Sequence, residues 1–228
     1  MMNGQMTLTH PRLTTPRAAA VAGILFAVLL ITSLVLVRLS VPANPRDAVA
    51  AGSAKSVALA LNLLPFAGIA FLWFIGVVRD RIGELEDRFF ATVFLGSGLL
   101  FVAMLFASAA IAGGLIAAYG TDHALIKTDT YVFGRVVTYQ ILNIYGIKMA
   151  GVFMITSSTL WIRTRILPRW IPYLGYALAA LLLLTLGFLD WISLVFPVWV
   201  LLVSAYFLIE DFGRQSRAAA TASARETP

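Results

Sequence analysis

The chain of 228 residues contains no cysteine. Disulfides, thiol nucleophiles, iron–sulfur clusters and cysteine-ligated zinc are excluded by that absence alone. Histidine occurs only at His10 and His123, both outside the apolar runs. Haem held by histidines between helices is therefore ruled out, as is a His-Glu-x-x-His zinc protease. His123 stands beside Asp122, but one histidine with scattered acids makes a poor metal site. The chain also lacks a Gly-x-Ser-x-Gly elbow and a glycine-rich phosphate loop, which removes the common serine hydrolases and phosphate-binding folds. None of the long apolar runs holds a carboxylate well inside it. Neither an enzyme nor a cofactor is expected.

Charge is scarce as well, at 12% of residues, whereas apolar residues make up 60% and mean hydropathy is +0.89. A soluble domain carries about a quarter charged residues. This much apolar surface is too much for one soluble core, and a bilayer can hide it. The net charge of +6 does not point to nucleic acid, because the basic residues sit at the ends of apolar runs. That is where the positive-inside rule and anionic lipids place them.

A spanning helix needs about 20 apolar residues. The runs predict an all-α, polytopic helical bundle of six transmembrane helices, at about 18–37, 56–78, 89–118, 136–162, 170–188 and 191–209, filling residues 17–210. Segments 1–16 and 211–228 are polar and are expected to be disordered and cytoplasmic. Ala48-Val49-Ala50 has the form of a cleavage site, but the first run is longer than a signal-peptide core, so it is taken as a retained span. The last apolar block, Trp170 to Ile209, is twice the length one crossing needs. A turn near Gly187 and Asp190 is expected to fold it into two helices.

With the N-terminus inside, the cytoplasmic side would hold Arg12, Arg17, Arg79, Arg81, Arg88, Arg163, Arg165, Arg169, Arg214, Arg217 and Arg225. The other side would hold Arg38, Arg46, Lys55, Lys127 and Arg135. That imbalance predicts N-in and C-in. Continuous apolar runs without alternation exclude a β-barrel.

The fourth run is the least apolar and carries Tyr139, Gln140, Asn143, Tyr145 and Lys148. A lysine near the bilayer middle costs roughly 2.5–3.5 kcal/mol on insertion scales, and such a residue is by default a candidate for function. At 100° per residue, Gln140, Asn143, Lys148, Gly151 and Ser158 share one arc, expected to face the bundle interior. Lys148, Asn143, Gln140, Tyr139 and Asn62 are therefore the candidate ligand-binding residues. Asp190 is the carboxylate nearest Lys148 by topology, and could reach it only if the last hairpin dips into the membrane. One reading makes Lys148 the anchor of a small anionic ligand or a proton carrier. The other pairs it with helix carbonyls and amide side chains, as structural glue.

Pro65, close to Asn62, is expected to kink the second helix. The segment Arg79–Arg88 mixes four acids with three arginines and offers either a dock for a protein partner or a solvated connector. Ala103, Ala107, Ala110 and Gly114 form a small-residue stripe suited to close helix packing.

Two stretches carry a resemblance. They are Leu64-Pro65-Phe66-Ala67-Gly68-Ile69-Ala70-Phe71-Leu72-Trp73-Phe74-Ile75-Gly76-Val77-Val78-Arg79-Asp80-Arg81 and Glu86-Asp87-Arg88-Phe89-Phe90-Ala91-Thr92-Val93-Phe94-Leu95-Gly96-Ser97-Gly98. Both resemble uncharacterised integral membrane proteins of GC-rich Gram-positive bacteria, mainly over residues 60–110. The resemblance implies a bacterial plasma-membrane location. No activity attaches to that group, so it assigns no residue a role. The expected function is that of a transporter-like or small-ligand-binding membrane protein. The alternative is a non-catalytic partner subunit acting through its charged loop and helix faces.

Overall fold

The computed structural model describes residues 15–41, 51–82, 88–121, 128–165, 167–184 and 191–223. Among them there is no strand. Helices α1 (Thr15–Ser40), α2 (Ala51–Ile82) and α3 (Arg88–Thr121) come first. Next is one long rod made of α4 (Asp129–Gln140), a π turn (Ile141–Gly146) and α5 (Ile147–Thr164). Helix α6 (Trp170–Leu184), a 3-10 turn (Ile192–Leu194) and α7 (Val195–Ser223) complete the chain. Five helical segments are long and apolar enough to cross a membrane. Of helix α6, 15 residues are described, and residues 185–190 that follow lie outside the described set.

Three boundaries differ from the sequence reading. The fourth helix begins at Asp129 instead of 136, because Thr128 caps it: its hydroxyl oxygen accepts from the Tyr131 N–H at 3.3 Å. Asp129 in the first turn complements the helix dipole. The last helix continues to Ser223, so residues 211–223 are helical, in keeping with the helix-forming run Arg217 to Ala220. Helix α2 starts at Ala51 and continues through Pro65. The expected turn at Gly187 and Asp190 lies outside the described residues, as does most of the charged connector after Ile82.

Helix α1 packs against α2 and α7, α3 against α2, the π turn and α5, and α5 against α6. The centre is aromatic. Phe26 and Phe71 have ring centroids 4.5 Å apart, Phe101 and Phe196 4.8 Å, and Phe71 and Phe153 5.1 Å. Trp161 and Trp199 stack at 5.3 Å nearer one end. Contacts of this type add about 0.5–1.5 kcal/mol each beyond burial. At that same end the Arg17 Nε donates to Asp211 Oδ2 at 2.7 Å, tying α1 to α7. There too the Arg163 guanidinium lies 4.4 Å above the Phe90 ring, joining α5 to α3.

Gly175 allows a close approach between helices. A Cβ there would run into Ser158 Oγ and lie 3.1 Å from Trp199 Nε1. It marks where α5, α6 and α7 meet.

Candidate functional site

The expected polar face of the fourth helix is split in two, and the π turn is the reason. An α-helix closes i→i−4 bonds, and a π turn closes i→i−5. Here the Ile147 N–H donates to the Leu142 carbonyl, five residues back. The wider turn shifts the register of everything after it. Ser108 of α3 supports it by donating to the Thr138 carbonyl at 3.0 Å, just before the turn begins. The turn lies against α3 at Met104, 3.5 Å from where a Cβ on Gly146 would stand, an ordinary packing distance.

After the turn, the polar arc faces α6. Lys148 Nζ donates to the Leu182 carbonyl at 3.2 Å and to the Leu183 carbonyl. Both carbonyls belong to the last described turn of α6. Gly151, three residues on, meets Leu183 and the Ala179 carbonyl, and the Thr159 and Tyr176 hydroxyls are 2.7 Å apart. Lys148 is thus bonded to helix carbonyls of α6, the arrangement that the structural alternative posed by the sequence describes. Asp190 lies outside the described residues.

Before the turn, the rod lines a cavity of about 510 Å3 enclosed by α1, α2, α3, α4 and the segment Trp191–Leu194. Tyr139 and Asn143 line it; Lys148, Gln140 and Asn62 do not. Asn143 Nδ2 donates to the Tyr139 carbonyl at 3.3 Å, within its own helix. Gln140 is exposed on the outside of the rod, and Asn62 on the outside of α2. The structure therefore unites only Tyr139 and Asn143 of the expected set, and it adds Arg38, Arg135, Tyr119 and Tyr131. The added residues carry a signal in the sequence. Tyr131, Arg135 and Tyr139 follow one another every fourth residue, which places them on one helical face.

Ser33 and Ser108 bring hydroxyls to the wall, but each already donates to a carbonyl, Leu29 at 2.8 Å and Thr138 at 3.0 Å. Most of the remaining lining is aliphatic: Leu34, Val37, Val57, Leu61, Leu64 and Leu142 among others. A cavity of this size lies within the range of small-molecule sites, about 300–1,000 Å3. The Arg135 guanidinium lies 5.9 Å from the Tyr131 ring centre. Among the described residues no group of three metal-ligating side chains occurs.

An all-α bundle with five helices long and apolar enough to cross a bilayer defines a helical membrane protein. The chain matches no protein-family model, and no curated protein or solved structure is significantly similar to it.

Proposed function

We propose that this is a multi-pass protein of the bacterial plasma membrane that binds a small ligand in the cavity beside its fourth span, in the manner of a transporter or ligand-binding protein. The bundle crosses the membrane with N-in and C-in orientation, so the cavity opens toward the outer side. The observation that carries the reading is the cavity itself, about 510 Å3, bounded by four helices and a turn and touched by Tyr139 and Asn143. A bundle serving only as a scaffold would be expected to close such a void, because each unfilled volume forfeits packing contacts.

The absence of native cysteine supplies the test. Ala112 lines the cavity, and Ala150 is fully buried in the core. Ala112→Cys should react with a small water-soluble maleimide added to intact cells, and Ala150→Cys should react only after unfolding. Equal protection of both would contradict an accessible site.

A second reading rests on Asn62. Its amide is exposed on α2 and finds no hydrogen-bond partner among the described residues. Counting from the middle of the span Lys55–Asp80, it lies about 8 Å off centre, within the hydrocarbon. Leu59, Phe66, Ile69 and Trp73 are exposed on the same face at three- and four-residue spacing. A polar amide on such a face is a helix-association element and supports a membrane-protein partner. Asn62→Leu should lower the fraction of cross-linked complex in membranes. An unchanged fraction would discard this reading.

A further inference from the structure

The charged groups that line the cavity lie near helix ends. On α1 the lining passes from Ser33 to Arg38, on α3 from Ser108 to Tyr119, and on the fourth span from Leu142 back to Arg135 and Tyr131. Arg38, Arg135, Tyr119 and Tyr131 lie toward helix ends, and Leu34, Leu61, Leu64 and Leu142 lie deeper, with the uncharged Ser33, Thr138, Tyr139 and Asn143 among them. The span Asp129–Thr164 is about 54 Å long, so Arg135 lies about 17 Å from its centre and Leu142 about 7 Å. Arg135 is thus at headgroup depth and Leu142 within the hydrocarbon. No carboxylate occurs among the described residues that line the cavity.

From this geometry we propose that the ligand is an anionic amphiphile: an apolar chain in the aliphatic part, with a carboxylate or phosphate head at Arg38 and Arg135. The inference rests on the ligand-binding reading above and deepens it. Two guanidiniums suit an oxyanion because each offers a planar fork of donors and is weakly hydrated for a cation. Tyr119 and Tyr131 add phenolic groups at the same end. The chain alone gives little selectivity, since leaving lipid for an aliphatic cavity exchanges one apolar environment for another. Recognition must come from the head, and the head's charge should decide affinity.

Trp191 lines the cavity and serves as an internal reporter. The full-length protein in nanodiscs of zwitterionic phosphatidylcholine would be titrated with dibrominated stearate and, separately, with the matching dibrominated alcohol. The expected result is saturable quenching by the acid that disappears in Trp191→Phe. Arg38→Gln with Arg135→Gln should weaken it about tenfold or more. The alcohol should show only the gradual, unsaturable quenching of probe dissolved in the bilayer. Dibrominated phosphatidylglycerol as a third probe tells whether the anionic head arrives on a bilayer lipid or on a free single-chain acid.

Equal saturable quenching by acid and alcohol would overturn the anionic assignment and leave the ligand-binding reading standing. No saturable quenching of Trp191 by any probe would count against both. The comparison of acid with alcohol uses the unaltered protein, so it holds even if the arginine variants fail to fold.

Discussion

Lys148 Nζ donates to the Leu182 carbonyl at 3.2 Å, so a lysine inside an apolar helical rod is tied to the backbone of its neighbour α6. The charge that singles this residue out in the sequence is used to hold α5 and α6 together. Lys148→Met would leave the Leu182 and Leu183 carbonyls without that donor, at a cost of about 1–3 kcal/mol. Lys148→Arg keeps a cationic donor beside the same carbonyls and should recover part of that loss. Unfolding in mixed micelles of increasing denaturing-detergent fraction would measure both. A Lys148→Met protein as stable as the original would contradict a stabilising role for this contact.

Ser108 and the π turn provide a second prediction. Ser108→Ala deletes the donor to the Thr138 carbonyl, and interhelical bonds inside membranes contribute about 0.6 kcal/mol on average. The stability loss should be that small. The larger effect should fall on ligand binding, because the same turn aims Asn143 into the cavity. A loss of stability with binding untouched would contradict the link between turn and site.

Gly175 sets a packing limit. Gly175→Ala drives a methyl toward Ser158 Oγ and the buried Trp199 indole, and overpacking of this sort costs about 1–3 kcal/mol. Ser158→Ala in the same chain removes the nearer atom and should restore part of the stability. If the double variant is no better than the single, the Trp199 contact controls the junction.

At the opposite end of the scale stands Arg17 with Asp211. Arg17 is exposed, and exposed ion pairs contribute about 0–1 kcal/mol. Arg17→Gln should therefore leave stability within that range, and any dependence on the pair should fade in high salt. A large loss would mean that the contact with the Phe212 ring, 5.4 Å away, matters more than the ion pair.

The helical bundle was legible because it depends on run length and scarcity of charge, which composition reports directly. The long fourth helix was half legible. Its apolar part was plain, but residues 129–135 look like a loop unless Thr128 is read as a cap. The polar face failed for one reason. A constant 100° per residue is valid only in an unbroken α-helix, and Ile141–Gly146 is not one. That turn sends Asn143 toward the cavity and Lys148 toward α6, although the two are five residues apart. Arg38 and Arg135 read as ordinary span-end charges, since positive flanks are expected there in any case. Their shared cavity depends on how α1, α2, α3 and α4 are arranged around it, which the order of residues does not display. The stripe Ala103, Ala107, Ala110 and Gly114 is exposed on α3, so it is not part of the buried core.

The central claim places the ligand in the α1–α4 cavity and not at Lys148, and mass spectrometry of the intact protein released from detergent tests it most directly. The wild-type chain and Lys148→Gln should both retain a bound small molecule, and Ala112→Trp, which fills the cavity, should lose it. An adduct that survives Ala112→Trp and vanishes in Lys148→Gln would contradict the account and return the site to the lysine.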